Sequence, residues 1–356
     1  MSLKLKPGVI TGNALQDLFA SCKEQNCALP AVNVINSEGI GAALAAAREA
    51  KAPIIIQFSN GGAGFFAGKA LSGDRQQGPI AGAIAGALSV HHLAQAYGVP
   101  VILHTDHAAR KLLPWIEGLV SFNESYHKQH GSPLFSSHML DLSEDNLDEN
   151  LGTCAEYLQR MSKIGMTLEI ELGITGGEED GVDNSGADHA DLYTRATDVL
   201  QAYDKLSPIG NFTVAASFGN THGVYSPGNV VLKPEILKES QELVARERKT
   251  NAKPLDLVFH GGSGSEQAKI TEAVSYGVIK FNIDTDTQWA FTEPVRQYMD
   301  KNHAYLMSQI GNPEGPDKPN KKKIDPRTYL ADAVKGMNAR LLQSFKDLNA
   351  YGKFDF

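Results

Sequence analysis

Eight short apolar runs recur along the chain, separated by longer segments of helical spacing. The runs are 28–34, 53–58, 100–107, 134–142, 166–172, 212–218, 255–259 and 277–283. Most are rich in Val, Ile and Leu, as expected of parallel strands covered by helices. The segments 9–22, 38–51, 80–97, 112–130, 144–164, 196–206, 234–248 and 266–275 read as helices, from one apolar face or from Ala and Leu content. In 9–22, for example, Leu15, Leu18 and Phe19 share a face, with Thr11 or Asn13 as a cap. Beyond the last strand the pattern predicts a helix at 287–305, a Pro- and Lys-rich linker at 312–327 and a helix at 328–349. Eight strand–helix units over about 280 residues favour a closed (β/α)8 barrel over an open doubly wound sheet. The expectation is one barrel domain over 1–356, with a C-terminal helical extension at 287–356.

The ends of the runs carry the chemistry. At 100–107, Val101, Ile102 and Leu103 give way to His104, Asp106 and His107. Barrels gather functional groups at the C-terminal ends of their strands. The residues at those ends are Asn33, Ser59, Asp106 with His107, Asp141, Glu171, His222, His260, and Asn282 with Asp284. A lone strand-end histidine is more often structural. Three in register, His107, His222 and His260, suit a catalytic zinc with an open position. The remaining histidines read as helix, mid-strand or loop residues, and His104 as a structural neighbour of the site. Strict alternation would send Asp106 and His107 to opposite faces, so the strand must end at about Asp106 for both to reach one site.

In 167–173, Leu168, Ile170 and Leu172 share one face and Glu169 and Glu171 the other. Inside a barrel each carboxylate needs a cation or a proton. Lys280 is the expected partner of Glu169, and Glu171 with Asp141 is a candidate second metal site. Gly-rich turns follow two strands, at 59–64 and 260–264. The second, with 282–285, fits the phosphate site that barrels build after strands 7 and 8. The acidic, Gly-punctuated stretch 173–191 reads as a solvated loop or as a lid carrying a carboxylate base. Lys321–Lys323 and Arg327 form a basic cluster that is either solvated or caps a second phosphate. A G-x-G-x-x-A match at 62–67 lacks the acidic residue and the helix of a dinucleotide site.

Composition narrows the class. The 356 residues carry a formal charge of −8 and 42% hydrophobic content, which fits a globular protein and argues against general nucleic-acid binding. Three cysteines without a CxxC pair read as reduced, buried thiols. No apolar leader or membrane-length run occurs, so the expected location is cytoplasmic, with no membrane partner.

Taken together, 104–107 (HTDH), 135–139 (FSSHM), 169–181 (EIELGITGGEEDG), 260–265 (HGGSGS) and 282–286 (NIDTD) resemble the zinc-dependent class II fructose-bisphosphate aldolases. With the long acidic loop and C-terminal extension they resemble the dimeric class IIA branch. Ala108 departs from the cysteine that many members carry there. The resemblance implies reversible cleavage of fructose 1,6-bisphosphate to dihydroxyacetone phosphate and glyceraldehyde 3-phosphate. It implies catalytic Zn2+ on His107, His222 and His260, and a second divalent metal on Asp141 and Glu171. Glu179 would take the proton from dihydroxyacetone phosphate, and Asp106 would protonate the aldehyde oxygen. Gly223, Gly261, Gly262, Ser263, Asn282, Ile283, Asp284 and Thr285 would hold the ketose phosphate. Ser59 and Arg327 would reach the other phosphate, near Asn33 and Lys321, with Arg327 crossing from a partner in a homodimer. A monovalent cation, Na+ or K+, would sit near Gly223 and Gly261. A tagatose-bisphosphate aldolase and a metal-dependent barrel hydrolase are the alternatives.

Overall fold

All eight apolar runs become strands of one closed parallel barrel in the computed structural model, which describes residues 4–71, 76–176, 178–179, 182–183, 192–221 and 231–356. The strands are β1 (Leu29–Asn33), β2 (Ile54–Phe58), β3 (Pro100–Thr105), β4 (Ser137–Leu140), β5 (Thr167–Leu172), β6 (Phe212–Ala216), β7 (Leu257–Phe259) and β8 (Val278–Asn282). Each pairs in parallel with the next, and β8 closes on β1 with Lys280 opposite Leu29 and Asn282 opposite Ala31. Closure is what makes the continuous Val/Ile/Leu runs stable. One face of each strand meets helices and the other meets the barrel interior, so both are buried.

Alternation on β5 works as expected. Leu168, Ile170 and Leu172 are buried against the helical shell, while Glu169 and Glu171 enter the interior, each 2% exposed. Phe19, from the helix Asn13–Gln25, sits with His104, Glu169 and Lys280 around one small interior cavity. Cys22, Cys27 and Cys154 are buried thiols. Among the described residues no helix is long and apolar enough to cross a membrane.

Four expectations need correction. The segment 9–22 is not helical throughout. Gly8–Val9 adds a two-residue strand beside Pro100–Val101 of β3, and the helix starts at Asn13 behind Gly12, so neither Thr11 nor Asn13 caps it. Second, the Gly-rich turn after β2 is a short helix, Asn60–Phe66. Ser59 caps it by accepting from the Gly62 N–H at 3.1 Å, which outweighs the poor helix propensity of its glycines. Third, the linker at 312–327 has structure of its own. Ile310–Asn312 and Gly315–Pro319 form a hairpin, and Lys321–Ile324 a helical turn. Asp325 then caps the terminal helix Pro326–Asp347, with Pro326 in the first turn, where its missing N–H costs nothing. The helix expected at 287–305 starts at Thr285 and breaks at Asn302, before His303–Leu306.

Candidate active site

Strand β3 stops at Thr105, which meets the condition that Asp106 and His107 set. The Asp106 N–H still bonds the Phe58 carbonyl at 2.9 Å, and both side chains are buried in the cluster at the mouth. His107 Nδ1 lies 3.1 Å from Asp141 Oδ2 and 3.3 Å from Glu171 Oε2. Its Nε2 faces His260 Nδ1 at 2.8 Å. On its far side, His260 Nε2 lies 2.7 Å from Glu169 Oε1, which also accepts from Lys280 Nζ at 2.9 Å. The expected Glu169–Lys280 pair is therefore present, and His104 Nε2 stands 3.5 Å from the other Glu169 oxygen.

These contacts fix the tautomers. An ionised carboxylate only accepts, so Glu169 places a proton on His260 Nε2, and Asp141 places one on His107 Nδ1. His260 Nδ1 then accepts from Asn282 Nδ2 at 2.9 Å and lies 2.8 Å from His107 Nε2. Ligand atoms of Asp106, His107 and His260 converge within 4.8 Å, as do those of His107, Asp141 and Glu171. Glu171 Oε2 is buried without a hydrogen bond, while its Oε1 accepts from the Thr175 hydroxyl at 2.7 Å. Nitrogen and carboxylate donors of this kind, carboxylate-oriented on their outer side, fit a divalent transition metal.

Asp106 accepts from Asn33 Nδ2 at 2.9 Å and Asn282 Nδ2 at 3.2 Å. Burial pushes its carboxyl up, but His107, Lys280 and His260 outweigh burial and hold it at about 2. Asp141 also falls to about 2, because its bonds to His107 and Ser143 overcome burial. Burial, then the nearby Asp141 charge, raises Glu171. His104 is pushed well down by burial and by Lys280, which supports a neutral, structural imidazole.

Beside this cluster opens a cleft of about 440 Å³, lined by Asn33, Ser59, Asp284, Thr287, Gln288 and Met337 among others. The two loops proposed for the ketose phosphate meet where the Gly262 N–H bonds the Asn282 carbonyl at 3.1 Å. Only glycine fits at 262, since a Cβ would lie 2.3 Å from the Phe281 ring and 2.7 Å from Asn282 O. Ser263, Asn282 and Ile283 are buried there. Lys321 and Arg327 do not line the cleft. Arg327 turns to Asp325 at 2.7 Å with its side chain 90% exposed. His222 and Gly223 lie outside the described residues. Glu179 falls in a two-residue strand, Glu178–Glu179, paired with Val182–Asp183, and its side chain is outside the described residues.

The structure adds residues that sequence reasoning missed. Gln57, fully buried in β2, donates to Asn33 Oδ1 and so supports the Asn33–Asp106 contact. One signal was available, a lone amide in the apolar run Ile54–Phe58. Asn220 joins Thr175 Oγ1 at 3.3 Å to the His260 carbonyl at 3.1 Å, behind the histidine–carboxylate cluster. Nothing in its local sequence marks it.

A closed parallel barrel with imidazoles and carboxylates converging at its C-terminal mouth defines a metal-dependent barrel enzyme. Residues 13–353 match the family described as fructose-bisphosphate aldolase class-II. Fructose-bisphosphate aldolase of Haemophilus influenzae is 60% identical over 349 residues, covering 97% of each chain. Fructose-bisphosphate aldolase class 2 of Escherichia coli K12 is 58% identical over 348 residues, again 97% of each. A crystal structure of fructose-bisphosphate aldolase from Campylobacter jejuni superposes with a TM-score of 0.89 at 56% identity, covering 99% of both chains. The chain belongs to the class II fructose-bisphosphate aldolase family.

Proposed function

We propose that this chain cleaves fructose 1,6-bisphosphate reversibly to dihydroxyacetone phosphate and glyceraldehyde 3-phosphate, with Zn2+ on His107, His222 and His260. The observation that carries the metal assignment is the convergence of ligand atoms from Asp106, His107 and His260, and from His107, Asp141 and Glu171, each set within 4.8 Å. The bound ion supplies Lewis-acid polarisation of the ketose oxygens. Asp106 stands beside it, ionised at neutral pH and oriented by Asn33 and Asn282. In the cleavage direction its carboxylate takes the proton of the C4 hydroxyl as the C3–C4 bond breaks. In condensation it returns that proton to the aldehyde oxygen. Glu179 removes the proton from dihydroxyacetone phosphate in condensation and restores it in cleavage.

The loop residues Gly223, Gly261–Ser263 and Asn282–Thr285 grip the ketose phosphate, with a monovalent cation beside Gly223 and Gly261. Asn33 and Ser59 face the second phosphate from within the cleft. Because Lys321 and Arg327 stand away from the cleft of their own chain, we assign them to the cleft of a partner in a homodimer. Asp141 and Glu171 hold a second divalent ion, and Asp141 also orients His107. One barrel domain over 1–356, the stretch 173–191 as its lid, and a cytoplasmic location complete the reading.

The test is an aldol-cleavage assay with metal analysis before and after chelation. Zinc loss should abolish cleavage and added Zn2+ should restore it. Activity that survives chelation and is trapped by borohydride would sink the proposal.

A further inference from the structure

The terminal helix Pro326–Asp347 lies along the helix Thr285–Lys301 outside the barrel. Pro294 has no N–H, so the Ala290 carbonyl four residues earlier lacks its helical partner. Gly336 packs against that spot, where a Cβ would stand 2.2 Å from Ala290 O and 2.8 Å from Pro294 Cγ. One turn further on, Arg340 reaches the start of the same helix. Its Nη2 and Nε donate to Asp286 Oδ2 at 2.7 and 3.2 Å. Its Nη1 donates to Ser344 Oγ at 2.7 Å and stands 3.6 Å from Asp347 Oδ2. All three guanidinium nitrogens are engaged.

Asp286 transmits this grip inward. It is the second residue of its helix, where the helix dipole favours a carboxylate. Its backbone N–H donates to Ser263 Oγ at 3.2 Å. A hydroxyl that accepts one hydrogen bond keeps its own proton to donate elsewhere. Ser263 is buried in the turn after β7, and the neighbouring Gly262 N–H bonds Asn282 O. Arg340 thus holds the loop at 282–286 against the loop at 260–264 from outside the barrel.

We propose that Arg340 is a positioning residue for the ketose-phosphate grip: by fixing Asp286 it sets where Ser263 and the first N–H groups of the helix Thr285–Lys301 stand. The inference rests on assigning that phosphate to these loops. Phosphate binding contributes alike to ground and transition states, so displacing the grip raises KM while kcat at saturation holds.

The experiment compares R340M, R340K, S263A and the D286N/R340M double variant in steady-state cleavage of fructose 1,6-bisphosphate, with inorganic phosphate as competitive inhibitor. R340M should raise KM and the phosphate Ki about tenfold, with kcat within about twofold. R340K, which keeps the charge without the fork, should fall between. The double variant should be no worse than R340M alone, since both changes break one pair. Unchanged KM in R340M with raised KM in S263A overturns the role of Arg340 alone. Unchanged KM in both overturns the phosphate assignment with it. Should R340M fail to fold, R340K decides, and an unchanged KM and Ki there overturn the proposal.

Discussion

Asp106 and Glu169 are both buried carboxylates, and their partners separate their tasks. Asp106 meets amide donors and faces the proposed metal site, whereas Glu169 is locked between Lys280 and His260. Asp106→Ala should therefore retain zinc, with metal content as the check, while kcat falls by about 10²–10⁴. Near wild-type turnover would refute its assigned role. Glu169→Gln has a different signature. The neutral amide leaves Lys280 buried without a counter-charge and no longer dictates the His260 tautomer. Zinc affinity should fall about 10–100-fold in a competitive chelator titration, and stability by about 3–5 kcal/mol in denaturant melts. An unchanged zinc affinity would remove Glu169 from the metal's support. These two residues were legible because ionisable groups stand out in apolar strands. Gln57 and Asn220 were not, because an amide or a loop asparagine announces nothing until its partners converge in space.

Helices and strands were legible where burial enforces a period. All eight barrel strands fall within the apolar runs, with ends displaced by a few residues, because register depends on neighbours. The failures share one physical cause. At Gly8–Val9, at the hairpin Ile310–Pro319 and at the capped helix Asn60–Phe66, backbone pairing or a cap decides the structure, and side-chain hydrophobicity does not. The packing of the terminal helix offers a test at this scale. By propensity alone, Gly336→Ala should stabilise a helix interior by about 1 kcal/mol. The Cβ would meet the Ala290 carbonyl, which is backbone and cannot step aside. Overpacking of that kind costs about 1–3 kcal/mol, so the clash wins. Thermal unfolding should show a Tm lower by a few degrees; a Tm at or above wild type would mean that the two helices are free to separate.

Across the whole molecule, closure of the barrel brings His107, Asp141, Glu171 and His260 from four strands to one mouth. Sequence gave their positions along the chain, and only closure gave their mutual distances. Four buried or nearly buried carboxylates, Asp106, Asp141, Glu169 and Glu171, gather there with Lys280 as the fixed cation among these contacts. Burial pushes His104 and His138 toward the neutral form, so they add no compensating charge. These carboxylates crowd one low-dielectric space, and a divalent ion that binds only the folded state should stabilise it by mass action. At a free ion concentration of about 100 Kd the gain is about 2.7 kcal/mol. For a chain of this size each kcal/mol moves Tm by about 2–4 °C. Chelation should lower Tm by about 5–10 °C, zinc should restore it, and His107→Ala should shrink the zinc-dependent difference. A melt indifferent to chelator and zinc in the wild type would show that these carboxylates are compensated within the protein, and the metal assignment would fail.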